Sequence, residues 1–222
     1  MIDIETYLSQ LIELLKQDFH TRLQYVGLQG SYLRKEATDS SDIDIMVVID
    51  NLSVHDLDRY RSIIKSMAYS DKSCGFICAT ADLANWNPLE ICHLVNSTKD
   101  CFGVLRELVP VYTESDIRNF LKLSLNNLYH EICHRYIHGG IEKSCAYLPT
   151  TYKGVFFILQ NLYYLQHGKY IATKSELMQL LNGKDLAVLK RSIDLNNGMC
   201  HPSSDSFELL FTWCQETLQS IC

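Results

Sequence analysis

The sequence predicts an α+β protein in which a small mixed α/β unit precedes an all-helical unit. Apolar runs of strand length alternate with helical patterns in the first half of the chain. Beyond Pro110, apolar residues recur only at helical spacing. The length of 222 residues suits one large domain or two small ones. We therefore expect domains over residues 1–110 and 111–222.

The first elements of the α/β unit follow from apolar periodicity. Residues 3–18 have apolar side chains at helical spacing, and residues 22–28 alternate into a strand. A second strand is expected over 43–49, where the continuous apolar run is typical of burial on both faces. Ser53 can cap a helix that extends to about Met67.

The rest of the unit is expected to contain a third strand and a hairpin. Residues 74–79 have the composition of a strand, and residues 82–86 that of a helical turn. Two apolar runs, 91–95 and 101–105, flank a polar pentapeptide, a pattern that predicts a β-hairpin.

The second unit is expected to be a bundle of helices. Thr113 or Ser115 can begin a long helix that stops at Gly139 and Gly140. Further helices are predicted over residues 151–166, 174–181, 185–193 and 206–220.

Composition excludes several classes of protein. The formal net charge of −6 argues against a general nucleic-acid binder, although it does not exclude a local basic cleft. No stretch approaches the ~20 apolar residues of a membrane span, and the N-terminus lacks a signal-peptide pattern. The nine cysteines are scattered without a CxxC pair. We therefore expect a cytoplasmic protein with reduced thiols and no membrane association.

The most informative segment joins a Gly-Ser turn to a pair of carboxylates. Gly30 and Ser31 open a short helix, whose N–H groups and serine hydroxyl can bind a phosphate. Asp42 and Asp44 stand at the head of the second strand. Because residues i and i+2 of a strand share a face, the two carboxylates can hold one divalent cation. A phosphate-binding turn together with a pair of cation-binding carboxylates is typical of nucleotidyl or phosphoryl transfer.

This pattern resembles the signature of the polymerase-β-like nucleotidyltransferase superfamily. That signature has Gly-Ser, a short helix, and then Ser-Asp-hydrophobic-Asp-hydrophobic, which correspond here to residues 30–35 and 41–45. Lys35 stands where the family usually has glycine. With its helical half, the chain also resembles kanamycin-type aminoglycoside nucleotidyltransferases and minimal nucleotidyltransferases that act with helical partners. The resemblance to a specific motif covers only residues 30–48.

The resemblance implies a Mg²⁺-dependent enzyme. It would transfer a nucleoside monophosphate from a nucleoside triphosphate, with ATP expected, to a hydroxyl of a small-molecule acceptor bound between the two halves, and release pyrophosphate. Asp42 and Asp44 would hold the metal, Gly30 and Ser31 the β and γ phosphates, and Arg34 would neutralise charge on the triphosphate.

One metal ligand of the superfamily lacks an evident counterpart. Its members normally add a third carboxylate from the following strand, but residues 74–78 contain no acid. Asp82 and Glu90 lie nearby in sequence, where a helix cap and a solvated side chain are their simpler roles. A full two-metal mechanism is therefore in doubt.

The general base can come from the helical half. His130, His134 and His138 recur every four residues and so share one helix face. The aminoglycoside enzymes place a glutamate base, with a lysine one turn later, on the corresponding helix. Counting back from residues 170–173 aligns that pair with His130 and His134, whereas a shift of one residue selects Glu131 and Arg135. His130 and Glu131 are the candidate catalytic residues.

Three alternatives stay open. Residues 130–134 match the zinc-protease pattern HExxH, but the sequence shows no third ligand downstream. Because the third carboxylate is missing, the sequence is also compatible with a non-catalytic nucleotide-binding or antitoxin-like partner protein. A nucleotidyltransferase could also modify a protein hydroxyl, so a protein partner or a homodimer is possible.

Overall fold

A computed structural model describes residues 2–221. The chain divides into two compact units, one up to Tyr112 and one from Thr113. The first contains a four-stranded mixed sheet with helices, and the second is helical. The prediction of an α+β fold, with a small mixed sheet followed by a helical bundle, is confirmed.

The first unit follows the expected order except near its end. Its regular elements are α1 (Ile4–Phe19), β1 (Leu23–Leu28), α2 (Gly30–Leu33), β2 (Ile43–Ile49), α3 (Val54–Ser66), β3 (Ser73–Ala79), α4 (Thr80–Ala84), α5 (Pro88–Asn96) and β4 (Lys99–Phe102). The strand order is β3-β2-β1-β4, in which β2 is parallel to β3 and antiparallel to β1. The predicted cap of α3 is present, since the Ser53 side chain accepts a hydrogen bond from the Asp56 amide.

Strand β2 lies inside the sheet and is buried on both faces, as its continuous apolar run indicates. Ile45 and Val47 belong to the core that contains the apolar face of α1. Met46 and Val48 belong to a second cluster that includes Leu83 of α4. Because side chains alternate along a strand, Asp44 projects to the same face as Met46 and Val48.

The predicted hairpin over 91–95 and 101–105 is wrong. Residues 88–96 form helix α5, and the following strand is β4, Lys99–Phe102. The Asn87 side chain accepts a hydrogen bond from the Leu89 amide, and Pro88 occupies the first turn. Both features favour the start of a helix. The apolar run by itself is too short to distinguish a helix from a strand, so these local signals decide between the two.

The second unit begins with α6 (Glu114–Tyr152), capped by Thr113, one of the two residues that the sequence offers as its start. Gly140 has φ 71° and ψ 177°, a non-helical conformation at which two helical segments of α6 meet across a kink. The predicted stop of the first segment at Gly139 and Gly140 is confirmed, and a second segment that the sequence did not predict begins directly afterwards. The remaining helices are α7 (Val155–His167), α8 (Lys174–Leu180), α9 (Gly183–Asn196) and α10 (Ser204–Ser220).

Helix α7 ends at Gly168, whose left-handed conformation is the usual helix terminator. Within residues 2–221, every helix is too short or too polar to traverse a lipid bilayer.

The backbone conformation of Lys35, just after α2, is one that favours glycine. Its φ of 58° lies in the left-handed region, where an L-residue is strained. The chain reverses there while the Glu36 amide donates to the Ser31 carbonyl at 2.9 Å. The turn geometry is thus retained with a residue that suits it less well than glycine.

We predict that Lys35→Gly raises the free energy of unfolding by about 0.5–1 kcal/mol, because removal of Cβ strain exceeds the entropy gained by the unfolded chain. Urea denaturation measures the change. Lys65→Gly, in the last turn of α3, is the control and should lower stability by a similar amount. Destabilisation by both substitutions would contradict this account of Lys35.

Candidate nucleotide and cation site

The Gly-Ser turn and the carboxylate strand meet at Gly30 and Asp44. The Gln29 amide donates a hydrogen bond to the Asp44 carbonyl at 2.9 Å. Gly30 has φ 67°, and a Cβ built on it would overlap Oδ2 of Asp44. Only glycine satisfies both the backbone angle and the close approach. The two sequence motifs therefore form one site.

The antiparallel pairing of β1 and β2 produces this contact. Leu28, the last residue of β1, pairs with Ile45, near the start of β2. The turn that follows β1 consequently emerges beside Asp44. A chain of hydrogen bonds also holds this turn, since Gln29 Nε2 donates to Thr98 Oγ1 at 2.8 Å and Thr98 Oγ1 donates to the Leu94 carbonyl at 2.7 Å.

Asp42 and Asp44 form an acidic pair of unequal exposure. Asp42 is exposed just before β2, and Asp44 is half-buried within it. Burial raises the pKa of Asp44, and the negative charge of Asp42 raises it further. A hydrogen bond from the Cys74 side chain and the positive charge of Arg34 act in the opposite direction. A divalent cation would relieve the repulsion between the two carboxylates.

The donor set fits Mg²⁺. This cation prefers oxygen ligands, and proteins commonly hold it through one or two carboxylates together with substrate phosphates. Asp42 and Asp44 supply the carboxylates. Because Gly30 has no Cβ, Oδ2 of Asp44 lies next to the Gly-Ser backbone. A phosphate on that turn would lie close to the cation ligands.

Arg34 connects this site to a residue that the sequence did not single out. Its Nε lies 3.1 Å from Oε2 of Glu36. Besides its effect on Asp44, its charge acts on His93 of α5, whose pKa is lowered to about 4, mainly by burial and then by Arg34. His93 lies in α5, where the sequence predicts a strand, so the sequence pattern gives no indication of this environment.

Among the residues that the structure describes, no third carboxylate joins the pair. Within residues 2–221, no three His, Cys, Asp or Glu side chains are grouped closely enough to hold a metal ion. The two sequence candidates have other partners. The Asp82 carboxylate accepts a hydrogen bond from the Ala79 amide at 3.2 Å, and the Glu90 carboxylate accepts one from Trp86 Nε1 at 2.7 Å.

Strand β3 instead presents Cys74 to the site. Cys74 is the register partner of Asp44 in the parallel β2–β3 pairing. The next residue, Gly75, cannot carry any side chain in this backbone, because a Cβ there would overlap the Ile45 carbonyl oxygen. Residue 74 is therefore the neighbour of Asp44 on β3. The sequence alone does not identify this neighbour, because it depends on the register of the two strands.

The histidines of the second unit lie in a row along α6. The ring centroids of His130 and His134 are 5.9 Å apart, and those of His134 and His138 are 4.5 Å apart. All three side chains are exposed. They share one helix face, as their spacing indicates.

Glu131, between the first two histidines, links the two segments of α6. Its Oε1 accepts hydrogen bonds from Arg135 Nε at 3.0 Å and from Thr151 Oγ1 at 3.2 Å. Thr151 lies beyond the interruption at Gly140. The Arg135 guanidinium also lies over the Tyr147 ring, 4.2 Å from its centroid. These contacts give Glu131 a structural role in addition to any chemical one.

Comparison with known proteins agrees with this geometry. Residues 8–74 match the family model of the nucleotidyltransferase domain. No curated protein matches the sequence. The fold is similar to that of spectinomycin adenyltransferase from Enterococcus faecialis, solved with ATP and spectinomycin, with a TM-score of 0.59 and 14% identity over 97% of this chain and 99% of that one.

A nucleotidyltransferase-like protein from Exiguobacterium sibiricum aligns with a TM-score of 0.41 and 13% identity, over 96% of this chain and 74% of that one. At such identities, structural likeness concerns the fold. The segment that matches the family model includes β1, the Gly-Ser turn and β2. Residues 8–74 thus match a nucleotidyltransferase domain, and the fold of the chain is similar to that of an adenyltransferase.

Proposed function

We propose that this protein transfers a nucleoside monophosphate from a nucleoside triphosphate, with ATP expected, to a hydroxyl group of a small-molecule acceptor, and that the reaction requires Mg²⁺. The observation that carries the proposal is the contact of Gly30 with Asp44, which joins a phosphate-binding turn to a cation ligand. The similar fold of an adenyltransferase solved with ATP and spectinomycin supports a nucleotide and a small-molecule acceptor.

Each residue of the site has a proposed role. Asp42 and Asp44 hold the cation, which when bound would neutralise phosphate charge in the transition state. Gly30 and Ser31 hold the β and γ phosphates, and Arg34 offsets the charge of the triphosphate. The acceptor hydroxyl attacks the α-phosphorus, its proton passes to a base, and pyrophosphate leaves. Positioning and preorganised charge provide most of the rate enhancement.

His130 is the proposed base and Glu131 the second candidate. A neutral imidazole can accept the proton of an attacking hydroxyl. The exposed His130 ring is suited to this role, whereas the Glu131 carboxylate already accepts hydrogen bonds from Arg135 and Thr151.

In the described part of the chain no third acid lies beside Asp44, and this favours a second candidate function. A non-catalytic nucleotide-binding or antitoxin-like partner protein would retain the turn and the acidic pair without turnover. A protein hydroxyl as acceptor, a protein partner or homodimer, and the cytoplasmic location stay predictions from the sequence.

We expect Asp42→Asn and Asp44→Asn each to lower kcat/KM by about 10²-fold or more, because each removes a charge that positions the cation. Pyrophosphate release with a panel of hydroxylated acceptors measures turnover, and calorimetry measures nucleotide binding with and without Mg²⁺. Asp39→Asn, an exposed carboxylate in the same loop, is the matched control.

Mg²⁺-dependent binding that both Asp variants lose, together with turnover, would support the enzyme. Binding without turnover on any acceptor would favour the partner protein. Wild-type nucleotide binding that is indifferent to Mg²⁺ and to both substitutions would contradict the site assignment.

We expect His130→Ala to lower kcat by about 10²-fold with little change in KM, since a general base acts in the transition state. Glu131→Gln should mainly lower the thermal midpoint, because it weakens the contacts with Arg135 and Thr151. His138→Ala, two turns along the same exposed face, is the control and should leave kcat unchanged. A larger fall in kcat for Glu131→Gln than for His130→Ala would assign the base to Glu131 instead.

A further inference from the structure

Glu36 lies against Arg34 at the end of the Gly-Ser turn. Oε2 of its carboxylate accepts a hydrogen bond from Arg34 Nε at 3.1 Å. Both side chains are largely shielded from solvent, with 17% of the Arg34 side chain and 25% of the Glu36 side chain exposed. Because little water competes for either group, this ion pair orders the guanidinium more firmly than a fully exposed pair would.

The backbone of the turn brings the two side chains together. Lys35 has a left-handed conformation that reverses the chain between them. The Arg34 amide donates to the Gly30 carbonyl at 3.2 Å, and the Glu36 amide donates to the Ser31 carbonyl at 2.9 Å. Both members of the ion pair are therefore anchored to the two residues that are proposed to hold phosphate.

The positive charge of Arg34 acts on the acidic pair, since it counteracts the rise in the pKa of Asp44. The guanidinium thus lies within electrostatic range of the proposed cation ligands. An arginine side chain has several rotatable bonds, and fixing them when a ligand binds costs conformational entropy. A neighbour that holds the guanidinium before the ligand arrives reduces this cost.

The Glu36 carboxylate also has an opposing effect. Its negative charge repels a triphosphate, and its removal would by that effect alone strengthen nucleotide binding. The two effects can be separated by substitution. Glutamine keeps an oxygen that accepts the Arg34 hydrogen bond but carries no charge, whereas alanine removes both the acceptor and the charge.

We propose that Glu36 is a positioning residue for the nucleotide: it holds the Arg34 guanidinium in the orientation that meets the triphosphate, and itself touches neither the nucleotide nor the cation. The orientation of Arg34 outweighs the repulsion, so nucleotide affinity depends on Glu36 only while Arg34 is present. The inference rests on the proposed function, since it takes Arg34 as a ligand of the triphosphate.

The test is a double-mutant cycle on the full chain, with Mg²⁺-ATP as the probe and calorimetry as the readout. The variants are Glu36→Ala, Glu36→Gln, Arg34→Ala and the Arg34→Ala/Glu36→Ala double variant. Glu13→Ala is the matched control, because Glu13 forms an exposed ion pair with Lys16 at 3.4 Å and its loss changes the net charge equally. Circular dichroism verifies that each variant is folded.

We expect Glu36→Ala to bind Mg²⁺-ATP about 5-fold more weakly, because the guanidinium must then be ordered as the nucleotide binds. Glu36→Gln should stay within about twofold of the wild type, since its amide oxygen accepts the same hydrogen bond. Arg34→Ala should lose about 10-fold in affinity, and the addition of Glu36→Ala to it should change the affinity by less than about twofold. Glu13→Ala should bind as the wild type does.

Wild-type or tighter binding by Glu36→Ala would overturn the inference. An equal loss from Glu36→Ala in the presence and in the absence of Arg34 would also overturn it, because that is the signature of a merely structural role in the turn. Failure of the proposed function has a different signature and would overturn both proposals. In that case, the wild type would not bind Mg²⁺-ATP, or the Asp42→Asn/Asp44→Asn double variant would bind it with wild-type affinity.

Discussion

The close approach of Gly30 to Asp44 is the constraint on which the site depends. It requires a residue without a Cβ, a left-handed backbone and a carboxylate that is itself fixed in a strand. Antiparallel pairing of β1 with β2 brings the end of one strand beside the start of the other. A one-residue shift in the register of β2 would turn all its side chains to the other face and would move Asp44 away from the Gly-Ser turn. The core of the domain thereby fixes the geometry of the site.

Electrostatics add a second constraint. Half-buried Asp44 stands next to Asp42, and burial and repulsion together disfavour its ionised form. Arg34 and the Cys74 side chain offset part of this cost. A site that holds two carboxylates together, and in which the ionised form of Asp44 is disfavoured, is well suited to a divalent cation, whose charge removes the repulsion. The same arrangement would contribute little to the stability of the fold.

Much of the fold could be predicted because local signals agreed with the tertiary structure. The apolar run of β2 predicts a buried strand, and Ser53 and Thr113 each predict the start of a helix. The structure contains all three features. The failure at α5 came from an apolar run that suits either a helix or a strand, although Asn87 and Pro88 carried a helix signal. The positive φ of Gly140 separates the two helical segments of α6, in agreement with the stop that the Gly139-Gly140 pair predicts.

The site was predictable only in part, for a different reason. Spacing along one strand is enough to pair Asp42 with Asp44, and the Gly-Ser turn is a local motif. The identity of the residue beside Asp44 depends on strand register, so Cys74 could not be distinguished from Gly75 in the sequence. In the same way, the contact of Glu131 with Thr151 spans the interruption in α6 and has no local signature.

The most direct test of the central claim is calorimetric titration of Mg²⁺-ATP into Gly30→Ala. Gly168→Ala is the matched control, since Gly168 also has φ 67° but has open space around its absent Cβ. Both variants bear the same backbone strain, and only the first one displaces Asp44. The account predicts that Gly30→Ala stays folded and loses Mg²⁺-ATP binding, whereas Gly168→Ala binds as the wild type does. Wild-type affinity in Gly30→Ala would contradict it.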